Sequence, residues 1–118
     1  MIMLEMPWPP RELSPNARVH WAVRSRKAKA YRAACYLVTR AECLTVGEGA
    51  LSMSLVFVPP TRRGRDDDNL IASFKAGRDG IAQALGIDDS RIRLEKPQIS
   101  DQTTPGGRVF VTLREVPA

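Results

Sequence analysis

Between Val58 and Leu70 this chain cannot form one regular element, and that interruption constrains the fold more than any other stretch. Leu51 to Val58 (Leu-Ser-Met-Ser-Leu-Val-Phe-Val) alternates apolar with small polar residues and ends in β-branched and aromatic types, the pattern of a strand. Pro59 and Pro60 stop it. After them come Arg62-Arg63-Gly64-Arg65, then Asp66-Asp67-Asp68-Asn69, then a helical run from Leu70 to Leu85 with Gly86 as its C′ residue. Leu70, Phe74, Ile81 and Leu85 fall on one side of that helix and predict a core-facing stripe. A strand that hands over to an amphipathic helix through so short a polar turn calls for layered packing of helix on sheet.

The turn carries chemistry as well as geometry. Three adjacent carboxylates repel, which raises their pKa unless a cation compensates. A hard divalent ion such as Mg²⁺ or Mn²⁺ takes oxygen ligands and suits such a cluster. The simpler reading is a helix start, with Asp67 or Asp68 as the cap and acids favoured in the first turn by the dipole. The stretch by itself admits both. On the helix, Asp68, Ala72, Lys75 and Asp79 are spaced by four, three and four and share a face. Lys75 therefore either serves the acidic turn or pairs with Asp79.

The rest of the chain completes the pattern. Met1 to Met6 is a short apolar strand closed by Pro7-Trp8-Pro9-Pro10. Residues 11 to 29 are rich in cations (Arg11, Arg18, Arg24, Arg26, Lys27, Lys29), hold His20 and Trp21, and predict a long basic loop. Trp21 either folds back on the core or is left to contact a base or sugar. Lys27 to Cys43 predicts a helix, with Ala28, Tyr31, Cys35 and Val38 (or Leu37 and Ala41) as its stripe. Ile87-Asp88-Asp89-Ser90 is a second acidic turn. Arg91 to Ile99 predicts a strand that Pro97 confines to an edge or cuts short. Arg108 to Val116 alternates at Val109, Val111 and Leu113 and predicts another. The order β-α-β-α-β-β predicts one small α/β (α+β) domain, two helices on a mixed sheet.

Composition narrows the partners. The 118 residues suffice for one domain with a core. A net charge of +5 favours a polyanionic partner. No apolar run is long enough to span a membrane, and Met1 to Met6 lacks the basic start of a signal peptide. Cys35 and Cys43 lie about 12 Å apart if both are helical, too far to bridge, and two free buried thiols predict a reducing cytoplasm. A single histidine and no paired cysteines leave oxygen ligands as the metal chemistry.

The two acidic turns pose a problem. About eighteen residues of helix separate them, which puts them more than ~20 Å apart in one chain. A kink near Gly77 or Gly80 would bring the chain back. Otherwise a two-fold dimer with antiparallel helices would set each Asp66 cluster against the partner copy's second turn.

Asp66-x-Asp68-Asn69-Leu70, a lysine further along the helix, and Asp88-Asp89 ahead of a strand resemble the RusA family of Holliday junction resolvases. The opening Met6-Pro7-Trp8-Pro9-Pro10 with Asn16-x-Arg18-x-His20 is similar too, and the likeness runs over residues 4 to 115. The resemblance implies a homodimeric, Mg²⁺- or Mn²⁺-dependent endonuclease that nicks symmetric strands of four-way DNA junctions in recombination and repair, commonly of phage or prophage origin. It places Asp66, Asp68 and Asp89 as catalytic aspartates, with Asp88 beside them as a further metal ligand. The family's lysine position is Ala72 here, so Lys75, one turn later, is the nearest substitute. Arg62, Arg63 and Arg65, with Arg18, Arg24, Arg26, Lys27 and Lys29, would track the DNA backbone by charge. A catalytically impaired protein of the same fold that binds branched DNA is the alternative.

Overall fold

The computed structural model describes residues 1–117. The elements are β1 (Ile2–Pro7), α1 (Trp21–Ala41), β2 (Leu51–Val58), α2 (Asp67–Leu85), β3 (Ile92–Leu94), β4 (Gln98–Ile99) and β5 (Arg108–Glu115), with single 3₁₀ turns at Arg11–Leu13 and Asp89–Arg91. Two helices cover one face of a mixed sheet, which is the α+β arrangement expected from the element order. The sheet runs β1-β5-β2-β3, with β4 beside β3 on the same edge of β2. β5 is antiparallel to both β1 and β2, so β1 and β2 run parallel with β5 between them. β3 and β4 run parallel to β2.

Alternation places the core. Leu51, Met53, Leu55 and Phe57 of β2 are buried, as are Leu4 and Met6 of β1 and Val109, Val111 and Leu113 of β5. Burying an apolar side chain of this size contributes about 1.5–3 kcal/mol. The helices meet that face with Tyr31, Cys35, Leu70, Phe74 and Ile81. Phe74 sits at the centre, edge-on to Phe57 at 6.3 Å and to Tyr31 at 6.1 Å, a favoured aromatic geometry. The opposite face carries Met3 and Phe110, both exposed.

Pro97 acts as its ring chemistry requires. The predicted strand 91–99 is split into β3 and β4, because a residue without an N–H cannot hold its place in the ladder. Pairing resumes on each side, with Glu95 N donating to the Met53 carbonyl at 2.9 Å and Ser100 N to the Phe57 carbonyl at 2.9 Å.

Four expectations need correction. Helix α1 starts at Trp21 rather than Lys27, so Arg24, Arg26, Lys27 and Lys29 are helical and the basic loop ends at His20. The His20 side chain caps the helix, its Nδ1 accepting from Ala22 N at 3.1 Å. That stabilises a start the apolar spacing does not signal. Of the two stripes offered for α1, Ala28, Tyr31, Cys35 and Val38 is the one that packs on the core, with Thr39 buried beside it, whereas Leu37 of the other is exposed. Cys43 lies past the helix end, exposed and with φ of 51°, so only Cys35 is a buried thiol. Burial pushes the Cys35 thiol up to about 11. Finally, the cap of α2 is Asp66, one residue ahead of Asp67.

Gly77 and Gly80 do not kink α2, which is continuous over 19 residues. They serve close packing instead. A Cβ at Gly77 would come within 2.9 Å of the Phe74 and Tyr31 rings, and one at Gly80 would collide with the Arg32 carbonyl of α1. The early end that would have folded the second acidic turn back on the first is therefore excluded within one chain.

Candidate functional site

Since β1 and β2 are parallel, their carboxyl ends lie at the same end of the sheet. The segments leaving them, 8–20 and 59–66, stand side by side there. In open α/β sheets the crevice beyond the strand carboxyl ends is the usual ligand site. Here it is an open groove of about 1040 Å³, walled by Trp8, Asn16, Arg63, Arg65, Asp66 and Asn69 among others. Helices α1 and α2 run in the same direction: Arg24 and Ala28 face Ala72 and Ser73, while Thr39 and Arg40 face Ala84 and Leu85. Both helices thus begin at the groove end.

Trp8 organises one wall. Its indole lies edge-on to Phe57 at 6.0 Å. It also covers Gly107, where φ is 70° and a Cβ would come within 2.8 Å of the ring. The Arg65 guanidinium stacks over it at 5.5 Å from the ring centre, a cation–π contact. Arg65 also donates to the Thr61 carbonyl at 2.8 Å and the Arg63 carbonyl at 3.2 Å. Desolvation, with the charge of Arg63 nearby, lowers its pKa. Nearby, Tyr31 Oη donates to the Pro7 carbonyl at 2.6 Å and ties the proline segment to α1. Burial raises the pKa of that hydroxyl and keeps it a donor.

The acidic turn forms the other side. Asp66, in extended backbone, accepts from Asp68 N at 2.8 Å and Asn69 N at 3.4 Å, both on Oδ1. The capping reading is therefore realised at Asp66, yet it uses only one carboxylate oxygen. Asp66 and Asp68 are exposed, at the mouth of the groove and in the first turn of α2. The donor set suits Mg²⁺ or Mn²⁺, which commonly take one or two protein carboxylates and complete their shell with water and substrate oxygens. Of the turn's three carboxylates, Asp66 lines the groove, and Asp67 and Asp68 follow in the first turn of α2. Among the described residues, no cluster of three or more Asp, Glu, His or Cys side chains is gathered for a metal.

Asp88 and Asp89 stand elsewhere. They follow α2 and precede β3, whose Ile92 pairs with Leu51 at the amino end of β2. The 19 residues of α2 span about 28 Å, and the eight of β2 about 26 Å. Both measures put Asp89 at the far end of the molecule from Asp66 and Asp68. Asp88 caps the 3₁₀ turn by accepting from Ser90 N at 2.8 Å. That bond is the main cause that lowers its pKa, with the Ser90 side chain adding to it. Arg91 anchors the turn on the carbonyls of Gly47 and Gly49.

Lys75 lies two turns along from Asp68 and forms an exposed pair with Asp79 at 3.5 Å. Such pairs contribute about 0–1 kcal/mol. The turn closest to the acids on that face carries Ala72. The cations divide into two groups. Arg24 is spent on the fold, donating to the carbonyls of Ser14 at 3.0 Å and Ala17 at 2.8 Å, and Arg65 pins its own loop. Arg18, Arg26, Lys27, Lys29, Arg62 and Arg63 are exposed and, among the described residues, make no ion pair. Trp8, Asn16 and Asn69 line the groove without having been singled out in the sequence as site residues. The Pro-Trp-Pro-Pro run was the available signal for the first of them, since it fixes an aromatic beside the strand end.

Fold and site together describe a two-layer α+β domain with a groove at its strand ends, lined by Asp66 and by Arg11, Arg63 and Arg65. This chain belongs to the same family as an uncharacterized protein of Xylella fastidiosa (strain Temecula1), with which it shares 46% identity over 118 residues, 96% of this chain and 76% of that protein. No family model matches the sequence. Among the described residues no helix is long and apolar enough to cross a membrane.

Proposed function

We propose that this protein is a Mg²⁺-dependent endodeoxyribonuclease of the RusA type that acts as a homodimer on branched DNA, four-way junctions above all. The observation that carries the reading is the groove itself, lined by the exposed Asp66 and by Arg63, with the exposed Asp68 just beyond in the first turn of α2. Unpaired rim cations attract a phosphate backbone without regard to sequence. Asp66 and Asp68 would hold the ion, with Asp88 and Asp89 supplied by a second copy. When bound, the ion stabilises charge on the phosphate and lowers the pKa of a water. The chain's own part is to seat the backbone with Arg62 and Arg63. It also keeps Asp66 oriented through its cap bonds and keeps the groove open by stacking Arg65 on Trp8. Lys75, freed from Asp79, would approach the phosphate.

Distance supports the dimer. Two copies with α2 helices antiparallel would bring Asp89 of each to Asp66 and Asp68 of the other. One buried and one exposed free thiol fit a reducing cytoplasm. A second reading, a branched-DNA-binding protein with impaired catalysis, is favoured by one observation: Ala72 stands at the turn closest to the acids while Lys75 is engaged with Asp79. A synthetic four-way junction incubated with Mg²⁺ or with EDTA separates the two. The nuclease reading expects paired symmetric nicks with Mg²⁺ only. Tight, salt-sensitive binding with no nicks under either condition establishes the second reading instead.

A further inference from the structure

We infer that the exposed His20–Trp21 pair at the start of α1 is a stacking surface for an unpaired stretch of DNA, so that the protein selects substrates carrying single-stranded nucleotides beside the groove. The inference rests on the DNA-binding part of the reading above.

Trp21 is 75% exposed. A tryptophan can bury 150–250 Å², so this fold leaves unused the largest apolar side chain it has outside the groove wall. Trp21 also has an aromatic neighbour. His20 lies against it at 5.5 Å between ring centres with a 33° tilt, and the His20 ring is itself fixed by the bond from Ala22 N to Nδ1. Arg24 holds the preceding loop through Ser14 and Ala17. Two aromatic rings thus stand side by side on the surface.

Their surroundings define the occupant. α1 carries Arg24, Arg26, Lys27, Lys29, Arg32 and Arg40 and no acidic residue in its 21 positions. Arg18 stands just ahead. An apolar peptide partner gains nothing from such a field, whereas a polyanion with π-faces matches both features. Duplex DNA hides its base faces in the stack. A single strand offers them, and aromatic platforms on basic surfaces are how sequence-tolerant single-strand binding works. Because α1 and α2 begin at the same end, the platform lies on the groove side of the molecule.

The test uses full-length protein in EDTA, so that nothing is cut, with a fluorescent oligo(dT) and a blunt duplex of equal length. Trp21→Ala should weaken oligo(dT) binding about ten-fold, the scale of one lost base stack, and change duplex binding less than about two-fold on the same grounds. Trp21→Phe should restore most of the loss. Oligo(dT) should quench tryptophan emission more in the wild type than in Trp21→Ala, where Trp8 in the groove wall is the remaining fluorophore. Equal loss for both DNAs, no loss for either, or no binding of oligo(dT) by the wild type overturns the inference. Nicking with Mg²⁺ is not read in this assay. A wild-type protein that never cuts but shows the oligo(dT) difference would overturn the nuclease reading and leave the platform standing.

Discussion

The two acidic turns look alike in sequence and work alike locally. Asp66 caps α2 and Asp88 caps the turn ahead of β3, each by accepting a backbone N–H at 2.8 Å. What differs is the company they keep. Around Asp66 stand an open groove, Asp68, Arg63 and the Arg65–Trp8 stack. Around Asp88 the nearest cation, Arg91, is spent on the carbonyls of the 47–49 loop. A pair of carboxylates is a capping device by default, and what makes one of these turns a candidate site is an open groove with the unspent Arg63 beside it.

The strongest test of that contrast is Asp68→Asn. It should lower Mg²⁺-dependent nicking by at least about 10³-fold, the order expected when a charge-stabilising group leaves a reaction centre. Its Tm should hold within about 2 °C, because Asp68 accepts no capping bond. Unchanged nicking would make the groove turn a cap like the other. The second test asks whether the two turns meet across copies. Asp68→Asn and Asp89→Asn should each be inactive alone, yet a mixture allowed to exchange subunits should nick, since a heterodimer rebuilds one intact site. A silent mixture with a demonstrated dimer would rule out the cross-subunit arrangement.

The length of α2 holds the turns apart, and Gly80 lets α2 lie against α1. Gly80→Ala would gain about 1 kcal/mol in helix propensity, but it forces a methyl onto the Arg32 carbonyl. A net loss of about 2 kcal/mol is expected, read as a fall in Tm of about 8 °C. A neutral outcome would mean that the helices are less closely packed. Removing each cap compares the turns directly. Asp66→Ala should cost about 1 kcal/mol and Asp66→Asn much less, because asparagine also caps. Asp88→Ala should cost less than Asp66→Ala, since a 3₁₀ turn has fewer free N–H groups to satisfy.

The smallest effect is on pH. The Ser90 backbone N–H above all, with the Ser90 side chain, holds the Asp88 carboxyl below its ordinary value of 3.8. The ionised form is the one the fold favours, so its contribution is full above that ordinary value. It disappears as pH falls through the lowered one. Urea midpoints at pH 5 and pH 3 should converge for wild type and Asp88→Asn at the lower pH. A gap that widens on acidification would show that the carboxylate is not the favoured form.

Much of this was legible in the chain. Period-two alternation located β2 at Leu51–Val58 and nearly all of β5, Pro97 announced a broken edge, and Gly86 marked the end of α2. Those signals are local: they depend on which way successive side chains point and on what proline and glycine permit. The sequence also singled out Asp66, Asp68 and the arginines ahead of them as a group. It could not say that α1 begins at Trp21, because a histidine cap is a single side-chain bond. Nor could it say that Arg24 and Arg65 are spent on loop carbonyls, or that Gly77 and Gly80 serve packing rather than a kink. Only tertiary structure decided those, for one reason: each depends on which distant atoms come within bonding or contact distance once the sheet order β1-β5-β2 is set.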